Sequence, residues 1–395
     1  MVKKAIFIVT VCFCLSGCWD TVDLQDMQYI TAIAIDYNEK EKQFEIHGQS
    51  INFGNLSVNS AEGQNGNANA WVGISRGETV LSALSNLVPR TNQQLNWGHV
   101  HAIVYSQTAL AHNPLIEMNE GLYRFQQVRM TPWVFGTTEN LTEVLMVTNI
   151  FGDSIHTELF NPQAVFHERS FIEPITLHEL MREYPEAGRS VKLPNLSILE
   201  KNWKSNQGET NTSLFADGAF VIKGGKEPIL FSDEQLIGLR WLNHATVNAP
   251  LVLKENENTI AALNIVRPIA TVTSELDGDI PAFRIRIDAN ADIEDFPPDP
   301  SLGASKTINE LKALSEETIK QEVKRTFLLG IEQGKDIYDL ENVFYRQHVQ
   351  SYNTMRDSFT LDENTPLSIE VTIKIEHTGE YEFYRDRVPE SEQRR

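Results

Sequence analysis

The stretch Leu367-Ser368-Ile369-Glu370-Val371-Thr372-Ile373-Lys374-Ile375-Glu376 decides the class of fold. Every second residue is aliphatic and the residues between are polar or charged, the period-two pattern of a strand with one face in a core and the other in water. Upstream, Thr307–Glu332 places Ile308, Leu311, Ile319, Val323, Phe327 and Ile331 close to one stripe of a long helix. Across the loop Asp295–Gly303, Phe283–Asn290 alternates again: Phe283, Ile285 and Ile287 share one face, Arg284, Arg286 and Asp288 the other. Ile260–Ser274 reads as a further strand. Strands, a long amphipathic helix and a closing strand predict a helix packed on a sheet, and with it a mixed α+β or α/β fold.

The same mixture extends toward the N-terminus. Met27–Tyr37 and Gln43–Ile51 read as a strand pair around the polar turn Asn38–Lys42, and Asn59–Asn69 is a low-complexity loop. Glu78–Val88 carries Val80, Leu81, Leu84, Leu87 and Val88 at helical spacing and stops at Pro89. Trp97–Ser106 and Trp133–Thr137 predict strands, Leu115–Val128 and Leu141–Val147 helices. This alternation runs to about Pro185, and Glu186–Ser213, rich in Gly, Asn, Ser and Lys, marks a boundary. Beyond it Ala216–Ile222 and Pro228–Phe231 read as strands. Ser232 can then cap a helix through Leu242, with Gln235 three residues on. The resulting division is 1–17 signal peptide, 18–26 linker, 27–200 N-terminal α/β domain, 213–260 small middle domain, 261–385 C-terminal α/β domain and 386–395 charged tail.

Composition narrows the function classes. The 395 residues hold 34 Lys plus Arg against 54 Asp plus Glu, a net charge of -20, with 41% hydrophobic residues. That apolar fraction suits a folded globular chain. The charge opposes nucleic-acid binding, which starts with neutralising phosphates, and opposes docking on anionic lipid headgroups through charge.

Met1-Val2-Lys3-Lys4 precedes an apolar run, Ala5–Leu15, too short to span a bilayer. Leu15-Ser16-Gly17-Cys18 then has the form of a bacterial lipobox, so Cys18 is expected to carry diacylglycerol and, after cleavage, an N-acyl chain such as palmitate. The competing reading is a plain signal peptide with an incidental cysteine; charge, length and Cys position agree on the lipobox. Cys12 and Cys14 leave with the signal, and Cys18 is the last cysteine. The mature chain then has no disulfide and no Cys-ligated metal. Two acyl chains make a stable anchor where one is marginal, so the expected location is the outer face of the cell membrane.

Chemistry-bearing motifs are sparse. The sequence has no phosphate-binding P-loop, no strand-linked G-x-G-x-x-G, no G-x-S-x-G and no H-E-x-x-H. His99 and His101 alternate, a two-ligand start for zinc without a third; strand histidines more often satisfy local hydrogen bonds. Asp20, Asp23 and Asp26 lack the Gly and terminal Glu of a calcium loop. Glu316, Glu317 and Glu322 read as a solvated helix face, and Asn55, Asn140, Asn195 and Asn211 open N-x-[ST] sequons that mean little in a bacterial lipoprotein. No catalytic residue, cofactor or metal is assigned, and the chain reads as a non-enzyme.

Cys18-Trp19-Asp20-Thr21-Val22-Asp23-Leu24, followed by Tyr29-Ile30-Thr31-Ala32-Ile33-Ala34-Ile35-Asp36, resembles the start of the Ger(x)C spore-germination lipoproteins. Asp23 stands where that family usually has Glu. Gly98-His99 before an apolar strand, the block from Gly218 to Gly238 and a closing segment with Gly379 are similar to further family blocks. Asp336-Ile337-Tyr338-Asp339 lacks the glycines expected after the long helix, and Arg346–Phe359 lacks a tryptophan. The resemblance implies three domains with mixed β-sheets flanked by helices, Cys18 as lipidation site, and Trp19, Asp20, Asp23, Gly98, His99, Gly218, Gly238 and Gly379 as family-motif residues. It implies a lipid-anchored subunit of a nutrient germinant receptor in the inner spore membrane. Its partners would be two integral membrane subunits, with the nutrient met indirectly if at all, and His99 would hold structure at a strand start. The alternative from another class is a solute-binding lipoprotein of a nutrient uptake system, which would want two similar lobes and a cleft; the segments are unequal and no internal repeat is visible.

Overall fold

A computed structural model describes residues 27–51, 70–112, 115–125, 128–148, 159–163 and 171–377, apart from residues 207, 209, 225, 257, 279 and 297–305. Two mixed sheets with flanking helices make an α+β architecture. Of the residues singled out from the sequence, Cys12, Cys14, Cys18, Trp19, Asp20, Asp23, Asp26, Asn55 and Gly379 lie outside the described residues.

The first sheet is built around β1 (Met27–Asn38), whose TAIAI run buries both faces. It pairs antiparallel with β2 (Gln43–Ile51), which pairs antiparallel with the edge strand β3 (Ala70–Gly77). α1 (Val80–Leu87) returns the chain, opened by a capping box between Thr79 and Ser82. β4 (Gln94–Asn96) lies parallel to the start of β1, and β5 (Ala102–Ser106) runs parallel to its middle. α2 (Gln107–His112) and α3 (Leu115–Arg124) precede β6 (Trp133–Thr137), parallel to β5. Then come α4 (Leu141–Met146), the two-residue β7 (Ile175–Thr176) and α5 (Leu177–Glu183).

β8 (Val191–Lys204) and β9 (Thr210–Ile222) form a long hairpin, and β10 (Ile229–Ser232) closes the far edge. The order is β10-β9-β8-β6-β5-β1-β2-β3. Buried strands with helices on both faces read as continuous apolar runs, which explains Ala32, Ile33, Ala34 and Ile35. One face packs under α1, α2, α3 and α5, the other under α4.

After the single-turn α6 (Leu239–Leu242), the second sheet runs β11 (Asn248–Glu255), β12 (Asn258–Asp277), β13 (Ile280–Asp295) and β14 (Leu367–His377). β14 lies parallel to β13 after a crossover through α7 (Ile308–Glu332), α8 (Leu340–Gln347) and α9 (Val349–Met355). Phe283, Ile285 and Ile287 are buried while Arg284, Arg286 and Asp288 are exposed, as the alternation predicts. Leu311, Ile319, Val323 and Phe327 of α7 are buried, but Ile308 is exposed at its first turn. The core under this sheet also takes in Ala219 and Val221 of β9 and Phe231 of β10, so the two sheets share apolar contacts.

Several elements differ from the sequence expectation. The boundary stretch Glu186–Ser213 contains the body of β8, with Leu193 and Leu196 buried. The helix expected from Ser232 is a turn, in which the Ser232 N–H donates to Gln235 Oε1 at 2.9 Å, and helix forms only over Leu239–Leu242. Trp97–His101 is a turn preceding β5, so His99 and His101 stand before the strand.

Candidate functional site

Gly98 and His99 sit where β4 hands over to β5. The Gly98 N–H donates to Asn96 Oδ1 at 2.9 Å, an Asx turn, and the His99 ring meets the Tyr29 ring edge-on at 4.8 Å. The His101 N–H donates to the Thr31 carbonyl at 2.8 Å, which stitches the turn to β1. Both histidines thus act in local packing, and among the described residues no group of three or more His, Cys, Asp or Glu side chains is placed to hold a metal ion.

Gly218 and Gly238 mark two close approaches. Gly218 pairs with Ser232, and a β-carbon there would collide with the Phe231 carbonyl oxygen; glycine lets β10 close on β9. Gly238 sits against α7: a β-carbon would lie 2.8 Å from the Glu322 carbonyl oxygen and collide with the Tyr338 hydroxyl. The Gly238 N–H donates to Thr326 Oγ1 at 3.1 Å, and that hydroxyl donates to the Gln235 carbonyl at 2.8 Å. Around this contact Arg240 gives Glu322 a two-pronged hydrogen bond, both at 2.9 Å, and Trp241 Nε1 donates to Glu322 Oε2 at 2.7 Å. The Arg240 guanidinium also lies over the Trp241 ring, 4.4 Å from its centre.

Glu322 is therefore the hub of a mostly buried ion pair. Glu316 likewise accepts the Ile373 N–H at 3.0 Å and ties α7 to β14. The expected solvated acidic face is thus partly structural. Three of the sequon asparagines have local roles too, while Asn55 lies outside the described residues: Asn140 caps α4, Asn211 Oδ1 accepts the Trp203 N–H, and buried Asn195 donates to Asp217 Oδ1 at 2.7 Å. Ser197 donates to the other Asp217 oxygen at 2.7 Å. Asp233 lies next to this cluster; burial, then the neighbouring Asp217 carboxylate, pushes its carboxyl up to about 6.

A further polar junction is a seam between β8–β9 and the segment after α7. Gly334, with φ +65°, turns the chain out of the helix. Asp339 then adopts φ +55°, a left-handed conformation that glycine takes freely and Asp tolerates. Its side chain explains why glycine is absent: Oδ1 accepts the Ser190 N–H at 2.8 Å, and Oδ2 faces Arg189 at 3.0 Å and Lys192. Lys223 pairs with Glu341, Arg346 with Glu186 at 2.6 Å, and Asn342 donates to the Ala187 carbonyl at 2.8 Å. Asp336 is buried, and burial, with Asp339 nearby, pushes its carboxyl up to about 6. Lys335 donates to the Glu227 carbonyl, and burial, with Lys226 nearby, pulls its ammonium down to about 8.

Beside the seam opens a hollow of about 720 Å³ lined by Glu173, Arg182, Arg189, Lys192 and His244 among others. Arg182 pairs with Glu183 at 3.2 Å, and Arg189 and Lys192 are held by Asp339. The pairs of Arg189 and Lys192 with Asp339 fix the first sheet against the segment after α7. The seam residues carry no short motif; the missing glycines at 336–339 were its one trace in the sequence.

A two-sheet α+β scaffold held by buried polar brackets defines a structural class, and comparison with known proteins places it. Residues 20–198 match the family described as spore germination protein N-terminal domain, and 217–379 the one described as spore germination B3/GerAC like, C-terminal. The chain belongs to this Ger(x)C family of germination-receptor C subunits. Spore germination protein KC of Bacillus subtilis (strain 168) is 20% identical over 96% of this chain and 97% of its own, and spore germination protein B3 of that strain is 19% identical over 85% of each. A further germination relative there is 22% identical over 62% of each chain. The crystal structure of GerBC matches the fold at TM-score 0.53 and 14% identity, covering 87% of this chain and 96% of that one.

Proposed function

We propose that the chain is a lipid-anchored, non-enzymatic subunit of a spore nutrient germinant receptor, tethered through Cys18 to the outer face of the inner spore membrane and acting through contact with two integral membrane subunits. The observation that carries this reading is the family match, which runs through both sheets and begins two residues after the lipobox cysteine. The lipobox supplies the anchor, and among the described residues no helix is long and apolar enough to cross a membrane. The side chains at the seam and around Gly238 hold elements together, which suits a protein whose output is a surface.

A pull-down from spore membranes with tagged, lipidated protein tests the reading. Two polytopic subunits should co-purify, and a Cys18→Ala strain should respond more weakly across a nutrient dose series. Recovery of a permease with an ATPase would replace this reading by the solute-binding one, and normal germination of the Cys18→Ala strain would remove anchoring from the function.

A further inference from the structure

The edge strand β3 leaves Trp71 70% exposed, and Val88 just beyond α1 is 45% exposed. Trp71 shares its face of the sheet with Ser75, whose hydroxyl donates to the Ala83 carbonyl of α1 at 2.7 Å, so the indole stands on the α1 side. There it rims a hollow of about 620 Å³ with Leu87, Arg90 and Gln28. Two glycines, Gly48 and Gly73, form part of the lining, and the space their side chains would need is taken by Leu87. None of the lining side chains is acidic, in a chain whose net charge is -20.

This hollow adjoins the first described turn of β1. Thr91 donates to Gln28 Oε1 at 2.7 Å, and β4 pairs with Met27–Tyr29. Nine residue steps separate Met27 from Cys18, at most about 30 Å of chain. Under the anchored reading above, on which this inference rests, the hollow is therefore within about 30 Å of the bilayer, and the short tether keeps its local concentration there high. Indole rings favour the boundary between headgroups and acyl chains, where one side is apolar and the other wet.

We infer that the rim of this hollow, with Trp71 and Arg90, is the membrane-facing surface of the protein, with Trp71 seated at the headgroup level of a lipid bilayer. The acidic body is repelled by anionic lipid. The rim approaches because it presents the Trp71 indole and Arg90 and no acidic side chain, so contact is made by side-chain insertion and not by net charge.

The mature chain has no cysteine besides the acylated Cys18, so one introduced thiol takes one dye. Trp71→Cys, Asn92→Cys on the same rim and Trp203→Cys are each expressed in a lipidating bacterium, labelled with an environment-sensitive NBD dye and reconstituted into phosphatidylcholine–phosphatidylglycerol vesicles. Trp203 is 67% exposed on β8, five strands from β3, and serves as the aqueous reference. On floated vesicles the dyes at 71 and 92 should shift to the blue and be quenched several-fold more by spin-labelled acyl chains than the dye at 203. Floated protein whose rim dyes report water overturns the inference and leaves the anchor standing. Protein that does not float removes the anchor and this inference with it. A shift at 71 and 92 that appears only when the membrane subunits are added makes the rim a protein contact and overturns the lipid assignment.

Discussion

Gly98, Gly218 and Gly238 stand in different surroundings, and alanine separates them. At Gly98 the nearest atom to an added β-carbon is Asn96 Oδ1 at 3.2 Å, the end of a side chain that can yield. At Gly238 the obstacles include the backbone of α7, and at Gly218 the backbone of β10. Gly98→Ala should cost less than about 0.5 kcal/mol, whereas Gly218→Ala and Gly238→Ala should each cost about 1–3 kcal/mol through overpacking. Urea denaturation midpoints compare the three directly; equal losses would mean that close approach is not what those glycines provide. The titratable residues give a second test. Asp233 and Asp336 are both pushed up to about 6 by burial, and an unfolded Asp titrates near 3.9. The folded chain binds these protons more tightly, so the stability they bring is fully present below about pH 3.9 and is lost as pH rises through about 6. Asp233→Asn keeps the shape and removes the titration. Its melting temperature relative to the parent should therefore be higher at pH 7.5 than at pH 4, and a difference that does not change with pH would refute the assignment.

At the scale of elements, α7 is held from two sides by acids that its sequence periodicity does not reveal. Glu322 accepts from Arg240 Nη2 and from the Trp241 indole, and Arg240 is mostly buried. Glu322→Ala leaves that guanidinium without its carboxylate and should cost about 3 kcal/mol. Exposed Glu317, which among the described residues meets Gln321 of its own helix, should be neutral to replace within about 0.5 kcal/mol. Similar losses for the two, measured by denaturation, would return Glu322 to the solvated face it resembles in the sequence. The contrast shows what the sequence could carry. α7 and β14 were legible because burial there follows one clean period, about 3.6 or two, and β1 and β2 because they are β-branched and aromatic runs on either side of a polar turn. β8 was not, because Asn195 and Ser197 turn toward Asp217 inside the sheet and break the apolar run. β3 was hidden by Gly73 and Ser75, residues chosen by the closeness of α1. The helix expected from Ser232 was shortened by tertiary contact, since Gly238 must lie flat on α7. Which acid reaches which distant partner depends on the assembled fold.

Across the whole molecule, two kinds of contact join the sheets, and they should fail differently. The seam is polar and centred on Asp339, which binds Ser190, Arg189 and Lys192 from a left-handed backbone. The shared core is apolar, with Ala219, Val221 and Phe231 of the first sheet packed among the residues of the second. Polar brackets fix orientation because their geometry is narrow, while apolar burial is less directional and supplies cohesion. Asp339→Ala removes every seam bond of that side chain and places a β-carbon residue without compensation at positive φ. It should cost about 2–4 kcal/mol. Asp339→Asn keeps an oxygen for the Ser190 N–H and tolerates the left-handed backbone, so it should cost less than half as much. Hydrogen exchange in Asp339→Ala should quicken together around residues 188–192 and 336–342, on both sides of the seam. Thermal unfolding should nevertheless stay a single transition, because the shared core still couples the sheets. Two separate transitions would show instead that Asp339 and its partners, and not the buried residues of β9 and β10, make the chain fold as one body.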